Sequence, residues 1–156
     1  MAVRDAVASD VEGMVQLSEA FRGRLASYSP VFWRQASDAL NRQTAWFTML
    51  LPLDDTIALV DEEQRRLSGF VIGRLTAAPP VYAPGGPVCV VDDFCVAAET
   101  DWPTVGLALL AAVEARARAR GAPLSVVVCA HRDEPKRTFL AAHGFATTTE
   151  WHVRAL

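Results

Sequence analysis

Two adjacent carboxylates, Asp92 and Asp93, stand inside the apolar run Val88–Val96, VCVVDDFCV. A charge in an otherwise apolar strand is costly unless it is paired or put to use. Either carboxylate is therefore a candidate functional group. The plainer reading is that one of them is structural, bonded to backbone or to an arginine. Side chains alternate along a strand. Val88, Val90, Asp92, Phe94 and Val96 then share one face and Cys89, Val91, Asp93 and Cys95 the other, unless a bulge intervenes. One carboxylate is expected to face a cleft and the other to be satisfied internally.

The remaining reactive side chains are less suggestive. Cys95 would act as a nucleophile only with a base to raise its thiolate fraction. His131 and His143 are separate from it in sequence. His131 faces a cleft or is a plain loop residue, and His143 reads as a helix-end residue near the C-terminal dipole. The three cysteines, Cys89, Cys95 and Cys129, are odd in number and irregular in spacing. They form no disulfide framework and no zinc pattern, so no metal is expected. Buried, reduced thiols and a cytoplasmic protein are expected.

The elements that must position the acids follow from pattern. After the Val88 run come a polar turn, Ala98 to Trp102, a helical stretch from Pro103 to Arg120, and Gly121 as its stop. A second Val-rich run, Leu124 to Cys129, reads as the returning strand. Strand, helix and strand make a βαβ unit. Its helix N-terminus, at the end of the first strand, offers backbone N–H groups to an anion.

Upstream, Ala2–Ala6 reads as a first strand, and Ser9 or Asp10 caps a helix that ends near Ser27. Pro30 opens a second helical stretch reaching Leu51. Tyr28, Trp33 and Trp46 are core residues or the walls of a substrate pocket. Thr56–Asp61 and Leu67–Leu75 form a hairpin around a charged turn. The Pro- and Gly-rich loop Thr76–Pro87 leads into the Val88 strand, antiparallel to the one before it. Asp133 caps a short helix ending at His143-Gly144, and Phe145–Val153 reads as a last strand.

Composition bounds the function. With 51% hydrophobic and 21% charged residues, the 156-residue chain is globular and of a size for one domain, residues 1–156. A net charge of −3 argues against a duplex nucleic-acid binder. Arg116, Arg118 and Arg120 read as a solvated helix end that complements the dipole. No stretch approaches the roughly 18 apolar residues of a membrane span, and the first ten residues do not read as a signal peptide.

Three stretches carry a family resemblance. Ile57-Ala58-Leu59-Val60-Asp61 with Leu67-Ser68-Gly69-Phe70-Val71 looks like the second and third strands of the GNAT superfamily of acyl-CoA-dependent N-acyltransferases. Val91-Asp92-Asp93-Phe94-Cys95-Val96 is similar to its fourth strand, and Phe139 to Phe145 resembles its penultimate helix with a Gly-Phe ending. The match covers nearly the whole chain, in the order β-α-α-β-β-β-α-β-α-β. It implies an α+β fold: one mixed, mostly antiparallel sheet flanked by helices and splayed between the Val88 and Leu124 strands.

The resemblance also implies acetyl transfer from acetyl-CoA to a primary amine of a small molecule or peptide, with Asp92 or Asp93 as base. Phe94, Cys95 and Val96 would orient the acyl group. Asp101, Trp102, Thr104, Val105, Gly106 and Leu107 occupy the pyrophosphate loop, and Asp133 stands where the family usually has Asn. Tyr28 and Trp33 would line the acceptor pocket, and a homodimer is allowed. The chain departs from the family at Asp101, where a cation or amide is usual, at Pro103, which has no N–H, and at Leu140, where a tyrosine acid is frequent. Those departures keep a second reading open, a non-catalytic GNAT-like module that binds a ligand or partner.

Overall fold

The computed structural model describes residues 2–156. Five strands and four helices follow in the order β1 (Ala2–Asp5), α1 (Val11–Tyr28), α2 (Ala39–Leu50), β2 (Thr56–Glu63), β3 (Arg66–Thr76), β4 (Val88–Val96), α3 (Leu107–Ala119), β5 (Leu124–Val127) and α4 (Glu134–Ala142). The strands form one sheet in the order β1-β2-β3-β4-β5. All neighbours are antiparallel except β4 and β5, which run parallel across the α3 crossover. This is the mixed, mostly antiparallel sheet that the sequence implies. The β2–β3 hairpin turns at Gln64 and Arg65, both with positive φ (49° and 64°), as a two-residue turn matching strand twist requires.

Helices cover both faces of the sheet. On one face Leu109, Val113 and Ala117 of α3 pack with Ile57, Leu59, Val71, Cys89, Val91, Phe94 and Val96. On the other, Met14 and Val15 of α1 and Phe47 and Leu50 of α2 cover Val60, Phe70, Ile72 and Cys95. Phe47 meets Phe70 edge-to-face at 5.5 Å between centroids. Burying a side chain of this size is worth about 1.5–3 kcal/mol, so these contacts anchor the α1–α2 layer. Arg4 bridges Asp10 (2.7 Å) and Glu62 (2.6 Å), tying β1 to β2 and to the start of α1.

The expected alternation in β4 fails at the acids. Ile72 pairs with Asp93 but Gly73 pairs with Val91, so Asp92 is an extra, bulged residue. The bulge resets the pleat. Val91 faces α3, yet so do Phe94 and Val96, while Cys95 faces α1 and α2. Val91 and Cys95 therefore do not share a face, contrary to strict alternation.

Three further expectations are corrected. The second helix starts at Ala39, not Pro30. Pro30–Trp33 makes a single turn, closed by the Trp33 N–H on Ser29 O at 2.9 Å, and the chain then runs irregularly to Asp38. The crossover helix starts earlier than Pro103. A 3-10 turn, Glu99–Asp101, and a π-helical turn, Trp102–Gly106, lead without a break into α3. Pro103 sits in the first positions of that π turn, where its missing N–H costs nothing. Residues 145–156 form no regular element, so the expected Phe145–Val153 strand is not made. The outer edge of β5 stays open, with Leu124 and Val126 exposed. Among the cysteines, Cys89 and Cys95 are buried and Cys129 is half-buried, and all three are free thiols.

Candidate active site

The site grows out of unequal strand lengths. β5 pairs with β4 only from Val88 to Val91, and a last bond joins the Val128 N–H to Val91 O at 2.8 Å. Beyond the bulge, β4 continues to Val96 with β3 alone as a neighbour. The two parallel strands thus part at Asp92, and the β4 backbone from Asp93 to Val96 has one edge without a strand.

The two acids differ as the bulge dictates. Asp92 is exposed, and Asp93 is partly buried on the α1–α2 side. Burial, followed by the Asp92 charge, raises the Asp93 carboxyl from its ordinary 3.8 to about 6, against the opposing pull of Lys136, the Trp46 side chain and Arg22. A carboxyl near 6 is mostly ionised at neutral pH yet more basic than an ordinary carboxylate, which suits a proton acceptor.

Lys136, in the first turn of α4, enters the opening between the strands. It is fully buried. Its Nζ donates to Phe94 O at 3.3 Å, the carbonyl that the missing β5 ladder leaves free. The rings of Phe94, Phe21 and Trp102 lie 5.3, 5.5 and 5.7 Å from Nζ. Asp133 caps α4, accepting the Lys136 N–H at 3.3 Å, and is itself buried. The cap sets the direction of the first turn and so aims Lys136.

Phe94 is fully buried, and Val96 and Cys95 nearly so. Phe94 meets Trp102 edge-to-face at 4.9 Å, and Trp102 stacks on Phe139 at 5.2 Å. Gly106 lies over Trp102: a Cβ there would come within 2.7 Å of the indole Cε3. That contact requires glycine. Burial pushes the Cys95 thiol up to about 12 and the Cys129 thiol up to about 11. Neither is a thiolate at neutral pH, so Cys95 is not a nucleophile in this state.

At the helix end, Asp101 does not point outward as a free charge. Its carboxylate accepts the Ala98 N–H at 3.1 Å, and Glu99 pairs with Arg24 of α1 at 3.6 Å. Two acids of the chain itself therefore load the first turn. Thr104 and Leu107 are exposed, whereas Trp102, Val105 and Gly106 are buried. The pyrophosphate loop read from the sequence thus splits into an outward and an inward set.

Tyr28 closes α1 near the same opening. Burial and then the Asp133 charge raise its hydroxyl, with smaller effects from Arg24, Glu99 and Cys129. Trp33 is half-buried and meets Phe32 edge-to-face at 5.3 Å, and Phe32 in turn meets Trp151 of the C-terminal segment at 6.0 Å. His131 is exposed within 3.9 Å of Glu150, and His143 Nδ1 sits 2.7 Å from Phe139 O at the end of α4. A separate concavity lined by Asp5, Leu53, Thr56 and Arg120 lies at the other end of the sheet. Arg120 is already bonded there to Asp54 O and Thr56 O.

Sequence reasoning missed Lys136. A signal existed: it is the only lysine in the chain, all other basic side chains with a long stem being arginines. Among the described residues no helix is long and apolar enough to cross a membrane.

No family model and no curated protein matches the sequence. Solved structures do match the fold. The tetramutant of the BH1408 protein from Bacillus halodurans aligns over 100% of both chains with a TM-score of 0.85 and 16% identity. The aminoglycoside N-acetyltransferase AAC(6')-Iy in complex with CoA aligns over 99% of this chain and 93% of its own, with a TM-score of 0.71 and 16% identity. A predicted acetyltransferase from Clostridium acetobutylicum, solved with acetyl-CoA, aligns over 99% and 95%, with a TM-score of 0.73 and 17% identity. At this low identity the likeness is one of fold: the chain has the GNAT fold.

Proposed function

We propose that the protein is an acetyl-CoA-dependent N-acetyltransferase acting on a primary amine of a small molecule or peptide. The observation that carries this reading is Asp93, a partly buried carboxyl raised to about 6 beside the open edge of β4. Acetyl-CoA supplies the activated acyl group.

The chain's residues fit its acyl end better than its phosphate end. The β4 backbone from Phe94 to Val96 has a free edge, and Lys136 brings a buried cation to it. Glu99 and Asp101 instead place negative charge at the helix N-terminus, where the dipole alone would favour an anion. In the proposed reaction the amine nitrogen bonds to the acyl carbon and the C–S bond breaks. Asp93 takes the amine proton, and the departing sulfur takes one from solvent. The exposed Asp92 and the aromatic side chains Tyr28 and Trp33 would meet the acceptor, which favours a cationic amine.

Calorimetry with acetyl-CoA, followed by turnover on an amine panel across pH, tests the reading. Binding is expected, with an acidic limb in the rate near pH 6. No heat from either CoA or acetyl-CoA with the folded protein would leave the non-catalytic module in its place. Glu99 and Asp101 at the helix N-terminus are the observations that favour that second reading.

A further inference from the structure

Lys136 is the chain's one lysine and is fully buried. An ammonium has three donors. Among the described residues Phe94 O is its one hydrogen-bond acceptor, at 3.3 Å, and no carboxylate forms an ion pair with it. Three ring faces offset part of the charge, but rings do not accept the two remaining N–H groups as an oxygen would. A buried donor left without an acceptor is costly. This group therefore sits in a place that lacks an oxygen, against the free edge of β4.

We propose that Lys136 holds the oxygen of the acyl group, an assignment that rests on the acyltransferase reading. An acyl group laid along the β4 edge at Phe94 brings its carbonyl oxygen to Nζ. When the amine nitrogen bonds to the carbonyl carbon, the C=O electron pair moves onto that oxygen. A fixed cation with spare donors favours the charged oxygen over the neutral carbonyl, which is the differential binding that lowers a barrier. The C–S bond then breaks, the pair returns to reform C=O, and the sulfur leaves as a thiol after taking a proton from solvent. Asp93 accepts the amine proton. A compact ammonium with three rotatable donors is not interchangeable with a planar, five-donor guanidinium at such a site, and this chain places its single lysine here.

Lys136 also acts on Asp93. The groups facing that carboxyl are Asp92 on β4, Lys136 on α4, Trp46 on α2 and Arg22 on α1. Of these, Lys136 gives the largest opposition to the burial-driven rise, so its removal moves the ionisation of Asp93 to higher pH.

The single lysine makes a direct test possible in the wild-type protein. Growth on lysine labelled with ¹³C at Cε gives one side-chain resonance. Acetyl-CoA should shift it, and CoA without the acyl group should shift it much less. Acetyl-CoA heat in calorimetry with an unmoved resonance, or an equal shift from CoA, overturns the assignment while leaving the acyltransferase reading intact. No heat and no shift from either compound overturns both. In kinetics, Lys136→Met should lower kcat about 10²-fold with KM for acetyl-CoA changed by no more than about threefold, and should raise the acidic limb in pH. Lys136→Arg should not rescue it. A lowered melting temperature with an unmoved pH limb and normal kcat would make Lys136 structural only. Should the Met variant fail to fold, the labelled wild type decides alone.

Discussion

Val88–Val91 and Asp92–Val96 are two halves of one strand with different neighbours. The first half is paired to β3 on one side and β5 on the other. The second is paired to β3 alone, and its carbonyl at Phe94 is met by Lys136. Both halves bury apolar side chains to the same degree: Cys89, Val91 and Phe94 are all fully buried. The difference lies in the backbone. A closed ladder satisfies its own polar groups, whereas an open edge must find partners elsewhere. Asp93, Lys136 and Asp133 are polar groups gathered where the ladder stops.

The largest test of that contrast is packing. Phe94→Ala should cost about 3–5 kcal/mol in urea unfolding, because it removes the buried ring that packs edge-to-face on both Trp102 and Phe139. Val90→Ala, at a half-buried position in the closed half, should cost only about 1 kcal/mol. Equal losses would mean that the open half has no core of its own.

Asp93→Asn separates function from stability. Turnover should fall about 10²-fold or more as the base is lost, and the acidic limb near pH 6 should vanish. Stability should move the other way. The folded carboxyl titrates at about 6, above its ordinary 3.8, so its contribution is fully present below pH 4 and is lost as pH rises through 6. At pH 8 the wild type carries a cost of up to about 3 kcal/mol that Asn does not. Thermal melts of both proteins at pH 5 and pH 8 read this directly. A variant less stable than wild type at pH 8 would make Asp93 a structural acid.

At the helix end, Asp101→Arg should tighten CoA binding about 30-fold in calorimetry, since unit charges 4 Å apart interact by about 1 kcal/mol in water and the substitution turns a repulsion of that size into an attraction. The lost bond to the Ala98 N–H should cost about 1 kcal/mol of stability. Unchanged affinity would place the phosphates away from this turn.

Asp92→Asn should do least. On an exposed bulge it should change stability by less than about 0.5 kcal/mol. Because the Asp92 charge helps raise Asp93, the acidic limb should move to lower pH. A large loss of turnover would transfer the catalytic assignment from Asp93 to Asp92.

Much of the fold was legible in order. The Val-rich runs, the capping acids and Gly121 marked β4, α3 and β5. The Pro- and Gly-rich loop marked the entry to β4, and the strand pairing followed. The Phe145–Val153 stretch misled because residues that suit a strand, Thr147 to Thr149 and Trp151 among them, describe a surface that fits a strand, not a partner to pair with. The Pro30 stretch misled because apolar spacing of three and four continued through residues that make one turn and then an irregular loop. Asp92 and Asp93 were visible as a pair, but which of them the bulge turns inward was not.

The sequence by itself determined most of the elements and their order, since cap, period and turn chemistry are local, and it singled out the acids by their cost in an apolar strand. Tertiary structure decided the site. The β4 bulge depends on pairing with Ile72 and Gly73, residues about twenty positions away. The place of Lys136 depends on β5 ending four residues into the ladder and on α4 turning back across the opening. Such contacts join residues 42 apart in sequence. No local pattern encodes them, because burial and electrostatic environment belong to the packed chain.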